Sequence, residues 1–165
     1  MALTALHPDA WAGGWSWPLP ADATCARRAR ALVVDTLTTL AVPAETIADA
    51  ELMVSELATN AHQHADGHVP YELWLRVVDG RELFCAIFDT LQMRALGRTT
   101  SVEKCDFGRG LGIVAELSRG HWGMYRAWSQ RLPHVAGKAV WFGCPVVPPP
   151  GAPAPGTCPD RLPTS

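Results

Sequence analysis

The sequence lacks a strong excess of charge of either sign. Its 165 residues hold 14 Lys and Arg against 16 Asp and Glu, and the formal net charge is −2. A global basic field, of the kind that draws proteins to phosphate backbones, is therefore missing. We expect no direct binding to nucleic acid.

Paired cysteines and long apolar runs are missing too. The five cysteines are an odd number without a Cys-X-X-Cys pair, which fits neither a disulfide framework nor a zinc ribbon. No stretch approaches the roughly 18 uninterrupted apolar residues that a membrane helix needs, and no basic segment followed by an apolar run opens the chain. We expect a cytoplasmic protein without a membrane span or an export signal.

The hydrophobic content of 48% suffices for one substantial core, and the length is that of one domain. Residues 145–165 hold eight of the 14 prolines, which predicts a Pro-rich disordered tail. Residues 1–14 mix tryptophan with glycine and are predicted to be a flexible N-terminus, ordered only where tryptophans pack onto the body. The folded domain is predicted to span residues 15–144.

The spacing of apolar residues predicts two helices in the first half of the chain. The first is capped by Asp22 and ends before Pro43. The second begins after Pro43 and stops near Gly67. Both helices have one apolar face, as expected of a layer packed on a sheet.

The second half of the sequence is predicted to form mainly strands. Residues 71–78 and 82–88 flank Asp79-Gly80, a dipeptide suited to a tight hairpin. A short helix over residues 111–118 precedes two further strands, 122–128 and 138–144. This order indicates an α+β fold: a two-layer α/β sandwich whose mixed, mostly antiparallel sheet is covered on one face by helices.

Residues 89–110 interrupt this pattern with a polar, glycine-containing segment. A connection of this length is unusual in a compact domain unless it has a function. We predict a functional loop or lid there.

Three polar residues of the second helix, Glu56, Asn60 and His64, are each four apart and share one face. They could belong to a solvated face. Alternatively, the carboxylate could orient or deprotonate a nucleophile while the amide oxygen ligates Mg²⁺, a cation that prefers oxygen ligands.

Two other signals point to nucleotide chemistry. The glycines of residues 108–112 precede a helix, an arrangement that offers backbone N–H groups to an anion. They have neither the strand context of a dinucleotide fingerprint nor the Gly-Lys-Ser/Thr ending of a Walker loop. Asp89 ends an apolar strand; it either caps a turn or, in a buried pocket, accepts a hydrogen bond from an exocyclic amine.

Together these segments resemble the GHKL (Bergerat-fold) ATPase superfamily, and within it the anti-sigma-factor serine/threonine kinase branch. Residues 52–65, with Ser-Glu-Leu, Thr-Asn-Ala and a His-Ala ending, are similar to the N-box of that branch. Residues 108–114 with Trp-Gly at 122–123 are similar to its second glycine box, and residues 137–141 to its closing strand. The resemblance spans residues 17–143.

The resemblance implies an ATP site between sheet and helices. Glu56 would activate the attacking hydroxyl, Asn60 would ligate magnesium, and Asp89 would hold the adenine amine. Arg109 and the glycines around it would face the phosphates. The residues with an implied role in binding the nucleotide are Asn60, His64, Asp89, Gly108, Arg109, Gly110, Leu111, Gly112 and Lys138.

The implied function is an ATP-binding regulator that phosphorylates a serine of an anti-anti-sigma (STAS-type) protein, binds a sigma factor, and forms a homodimer. Two departures from the family pattern support an alternative, a nucleotide-binding interaction module with little or no transfer. Leu91 lies in a stretch where the family has small residues, and Ala139 replaces a threonine of the closing strand.

Overall fold

The computed structural model describes residues 11–91 and 109–146. Residues 92–108 of the predicted lid, which include Gly108, and residues 147–165 of the Pro-rich tail lie outside these ranges. The elements of the described part, in chain order, are β1 (Trp15–Leu19), α1 (Cys25–Thr39), α2 (Ala44–His64), β2 (Tyr71–Val78), β3 (Glu82–Asp89), α3 (Arg109–Leu117), β4 (Trp122–Trp128) and β5 (Ala136–Pro145).

The five strands form one sheet in the order β1-β2-β3-β5-β4, and its four pairings are all antiparallel. The turn between β2 and β3 places Asp79 and Gly80 at φ angles of 51° and 66°, as the hairpin dipeptide predicted. Helices and sheet form the predicted two-layer α+β sandwich.

One face of the sheet packs against the helices. Side chains alternate between the two faces of a strand, so Leu73 and Leu75 of β2 and Cys85 and Ile87 of β3 point toward the same layer. The helical residues buried in this core are Cys25, Ala29, Val33 and Leu37 of α1, Ala50, Met53, Val54, Leu57, Ala58 and Ala61 of α2, and Leu111 and Val114 of α3.

The helix boundaries correct two details of the sequence prediction. Helix α1 begins at Cys25 with Thr24 at the N-cap position, so the expectation that Asp22 is the cap was wrong. Asp22 instead accepts a hydrogen bond from the Thr24 backbone N–H at 2.8 Å, one turn before the helix. Helix α3 begins at Arg109, two residues before the predicted start.

Strand β1 was not predicted, because Gly13, Gly14 and Pro18 obscure its pattern. It lies at an edge of the sheet and pairs only with β2, from Trp15 opposite Leu75 onward. An edge strand tolerates proline because one side of its backbone needs no partner.

The second face of the sheet has its own aromatic cluster. Trp74 stacks on Phe88 with ring centroids 5.3 Å apart, and Trp11 meets Trp74 edge-on at 5.6 Å. The Trp11 indole N–H also donates to the Tyr125 hydroxyl at 2.6 Å. Tryptophan packing thus holds the described residues before β1, 11–14, against this face of the sheet.

The β4–β5 connection folds across this second face. The carboxylate of Glu72 on β2, only 1% exposed, accepts hydrogen bonds from the Trp74 indole at 2.8 Å, from the backbone N–H of Gln130 at 3.1 Å and from the Ser129 hydroxyl. Arg131 then donates to the backbone oxygen of Ser16 on β1 at 2.9 Å. These contacts fix the chain just before β5 begins.

The longest helix of the described part is α2, with 21 residues. Among the helices in residues 11–91 and 109–146, none combines the length and the apolar character needed to cross a bilayer.

Candidate functional site

Helix α2 presents two half-buried polar residues beside its apolar seam. Glu56 and Asn60 are both of intermediate exposure, and they lie one turn apart on the same face. Their neighbours Leu57 and Ala61 are buried in the core. His64, one further turn along, is exposed. The carboxylate and the amide therefore lie at the margin of the core.

The first turn of α3 packs directly against Glu56. A Cβ added at Gly110 would overlap Oε2 of Glu56 and would lie 3.4 Å from its carboxyl carbon. Glycine at position 110 thus leaves the space that the Glu56 carboxylate occupies. Gly112 faces open space, with no atom within 4 Å of an added Cβ. The structure thus brings together Glu56 and Gly110, two of the predicted site residues.

The start of α3 has the properties of an anion site. The first N–H groups of a helix have no partner within the helix, and the helix dipole places partial positive charge there. The Leu111 side chain is buried in the core and anchors this turn, so the backbone is the part of Leu111 left for a ligand. Gly108 lies outside the described residues.

The amide of Asn60 has an unmet hydrogen-bonding capacity. Its Nδ2 atom is buried and has no partner among the residues described. Buried polar groups of proteins are normally paired, and the two ends of an amide are assigned from their partners. A buried NH2 group lacks an acceptor, so this donor is available to an oxygen of a polar ligand at the margin of the core. Any cation would be bound by the other end of the amide, its oxygen.

Asp89 forms a buried ion pair with Lys138. Asp89 ends β3 and is 1% exposed, Lys138 on β5 is 4% exposed, and the two are cross-strand neighbours. The Lys138 ammonium contacts Oδ2, while the backbone N–H of Leu91 donates to Oδ1 at 2.9 Å. Burial raises the pKa of Asp89, and the charge and hydrogen bond of Lys138 oppose that rise.

The end of β3 is tied to the segment that follows α2. The Thr90 backbone N–H donates to the backbone oxygen of His68 at 3.0 Å, and its hydroxyl donates to the Val69 oxygen at 3.1 Å. Asp89 lies on the sheet face that packs against the helices, as Ile87 does. These bonds hold the end of β3 against residues 68 and 69, the segment that follows α2.

The sequence analysis predicted a role for Lys138 in nucleotide binding but did not predict its contact with Asp89. It also did not predict that the backbone N–H of Leu91 donates to the other oxygen of this carboxylate. The register of β5 against β3 sets the first contact, and it joins residues 49 positions apart. The signal that could have found it is the pair of opposite charges at matching strand ends.

Comparison with known proteins gives the family of the chain. The search of curated proteins returned no match. The family described as the histidine kinase-like ATPase domain matches residues 19–125, a range that contains Glu56, Asn60, Asp89 and Gly110 and ends before Lys138. Because the match covers more than half of the chain, the protein belongs to the histidine kinase-like ATPase family of the GHKL superfamily, whose domain binds ATP.

Proposed function

We propose that this protein is a magnesium-dependent, ATP-using regulator that phosphorylates a serine of an anti-anti-sigma (STAS-type) protein. One observation carries the proposal. The Glu56 carboxylate has no ion-pair or hydrogen-bond partner in the described ranges; it lies against the first turn of α3 and one turn from Asn60, whose buried Nδ2 has no partner. A carboxylate, an amide and the N-terminus of a helix thus adjoin one another.

Each group has a role in phosphoryl transfer. Glu56 accepts the proton of the attacking serine hydroxyl. The bond from the serine oxygen to the γ-phosphorus forms, the bond from that phosphorus to the β–γ bridging oxygen breaks, and ADP leaves. The first turn of α3 offers N–H groups to phosphate oxygens.

Asn60 would hold the magnesium ion through its amide oxygen. When bound, the ion neutralises negative charge on the phosphates. Asp89 would accept a hydrogen bond from the 6-amino group of adenine. This chemistry requires positioning and charge, which a half-buried site on two rigid helices can supply.

The partner follows from the resemblance of residues 52–65 and 108–114 to the anti-sigma-factor kinase branch. That resemblance supports a sigma factor and a STAS-type protein as partners, a homodimer, and a cytoplasmic location. It supports neither nucleic acid nor a membrane as a partner.

A second candidate function is a nucleotide-binding interaction module with little or no transfer. Both oxygens of Asp89 already accept hydrogen bonds, from Leu91 and from Lys138. Ala139 does not bear on this contact, because its side chain is buried on the opposite face of the sheet. A base that shares the Asp89 oxygens with Leu91 and Lys138 would bind more weakly than one with Asp89 to itself, and transfer would be slower.

Calorimetric titration of ATP with and without Mg²⁺ tests the proposal. We expect the wild type to bind ATP more tightly with Mg²⁺, and Asn60→Ala to lose at least about tenfold in that affinity. Gln63→Ala is the matched control, because this residue of the same helix is exposed. Unchanged affinity in Asn60→Ala would overturn the assigned site.

Phosphate transfer from labelled ATP to a STAS-type substrate separates the two candidates. Transfer by the wild type supports the kinase. Binding of ATP without transfer supports the interaction module.

A further inference from the structure

The ion pair of Lys138 with Asp89 has hydrogen-bonding capacity that the protein does not use. An ammonium group has three donors, and the described residues supply one acceptor to it, Oδ2 of Asp89. Lys138 is only 4% exposed, so water has little access to the remaining donors. Leaving donors of a buried charge unpaired is costly.

The position of the unused donors suggests what they bind. They lie against the carboxylate to which the proposed function assigns the 6-amino group of adenine. On the Watson–Crick edge of adenine, the donor at N6 adjoins an acceptor at N1. An acceptor and a donor placed side by side in the protein, as Asp89 and Lys138 are, match that edge.

We propose that Lys138 determines base specificity: its ammonium donates a hydrogen bond to N1 of adenine while Asp89 accepts one from the 6-amino group. This inference rests on the proposed ATP site. A carboxylate oxygen can accept more than one hydrogen bond, so the contacts of Asp89 with Leu91 and Lys138 persist when the base binds. Both side chains are nearly buried, so a base in contact with them would be shielded from bulk water.

The competing interpretation is a purely structural ion pair between cross-strand neighbours. Such a pair would stabilise the end of the β3–β5 ladder without touching a ligand. The two interpretations differ in one measurable respect. Only a direct contact makes affinity depend on the N1 atom of the base.

The experiment compares ATP with 1-deaza-ATP, in which a C–H group replaces N1, by calorimetry in the presence of Mg²⁺. We expect the wild type to bind 1-deaza-ATP at least about tenfold more weakly, since a hydrogen bond from a charged donor is lost. The control ligand is 3-deaza-ATP, which keeps N1 and should bind as ATP does. Equal affinity for ATP and 1-deaza-ATP would overturn the inference.

The same two ligands are then compared on the variant Lys138→Met, which completes a double-mutant-type cycle of protein and ligand changes. This variant removes the donor and keeps an unbranched chain, and we expect it to bind ATP and 1-deaza-ATP with equal affinity. A preference for ATP that persists in Lys138→Met would also overturn the inference. If the variant does not fold, the comparison of the two ligands on the wild type decides alone.

Failure of the proposed function gives a different result. A wild type that binds no ATP overturns the ATP site and this inference together. A wild type that binds ATP and 1-deaza-ATP equally overturns only the role of Lys138.

Discussion

Glu56 is a carboxylate whose surroundings suit proton transfer. It is half-buried on α2, and Gly110 leaves room for its Oε2. We predict that Glu56→Gln binds ATP as the wild type does and loses about 10²–10⁴-fold in phosphate transfer, because glutamine keeps the shape of the side chain but cannot accept the proton. Titration calorimetry and a transfer assay with labelled ATP measure the two quantities.

The control for this variant is Glu45→Gln, which removes an exposed carboxylate from the first turn of the same helix. It should leave binding and transfer unchanged. Transfer that persists in Glu56→Gln would contradict the catalytic assignment while leaving the ATP site in place.

At the residue scale, the sequence predicts which groups share a helix face but not which groups meet across the fold. The four-residue spacing is enough to place Glu56 and Asn60 together. The pairing of Asp89 with Lys138 depends on the register of two strands whose paired residues are 49 positions apart. The lack of a partner for Nδ2 of Asn60 depends on all the residues packed around it. The spacing of residues along one helix contains neither kind of information.

The contact between α2 and α3 depends on the absence of a side chain at position 110. We predict that Gly110→Ala is less stable than Gly112→Ala by about 1 kcal/mol, because the Glu56 carboxylate must move away from the added Cβ and this cost offsets the gain in helix propensity. Urea unfolding measures the change. The same variant should weaken transfer, since Glu56 must move to accommodate the methyl group.

Gly112→Ala is the matched control, two residues along the same helix. Its Cβ would meet nothing within 4 Å, and alanine favours a helix over glycine by up to about 1 kcal/mol. The free energy of unfolding of Gly112→Ala should equal or exceed that of the wild type. Equal urea midpoints for the two variants would contradict the close packing at Gly110.

The β4–β5 connection is held in part by one buried side chain. Glu72 accepts three hydrogen bonds on the second face of the sheet, two of them from residues of this connection. We predict that Glu72→Ala lowers the free energy of unfolding by at least about 1–3 kcal/mol, because it leaves buried donors without a partner. Urea unfolding again provides the measurement.

Glu82→Ala is the control for Glu72. Glu82 lies on the neighbouring strand, and its side chain is 44% exposed. Its Oε1 atom lies 3.4 Å from Nδ1 of His121, which forms an ion pair with it when the histidine is protonated. An exposed pair contributes about 0–1 kcal/mol, so this variant should unfold near the wild-type midpoint. If Glu72→Ala and Glu82→Ala are equally stable, the hydrogen bonds of Glu72 to the β4–β5 connection do not stabilise the fold.

Elements with a clear local signal were predictable, and the others were not. The alternation of β2 and β3 around Asp79-Gly80 gave their bounds closely, since period and turn chemistry agree there. Strand β1 has no such signal: it is a strand because β2 offers it an open edge. The start of α1 was displaced because both Asp22 and Thr24 suit a helix start, and the local sequence does not rank them.

The folded protein buries weakly acidic side chains, thiols and a phenol, on both faces of its sheet. Burial raises the pKa of Cys25 to about 11 and that of Cys144 to about 12 on the helical side of the sheet. Burial likewise raises the pKa of Tyr125 to about 12 beside the aromatic cluster of the second face. These groups fold in their neutral forms, since a buried environment disfavours their anions.

This burial predicts alkaline unfolding. The folded-state pKa values of Cys25, Cys144 and Tyr125 lie above their ordinary values of 9.0 and 10.0, so the unfolded chain releases these protons first as the pH rises. The resulting stability is fully present below about pH 9 and is lost as the pH rises through 11 and 12. Urea unfolding at pH 8, 9.5 and 10.5 should show a falling free energy of unfolding. Cys144→Ala removes one of the groups and should make the fall shallower, whereas a stability that is constant or rises over this range would contradict the burial of these acids.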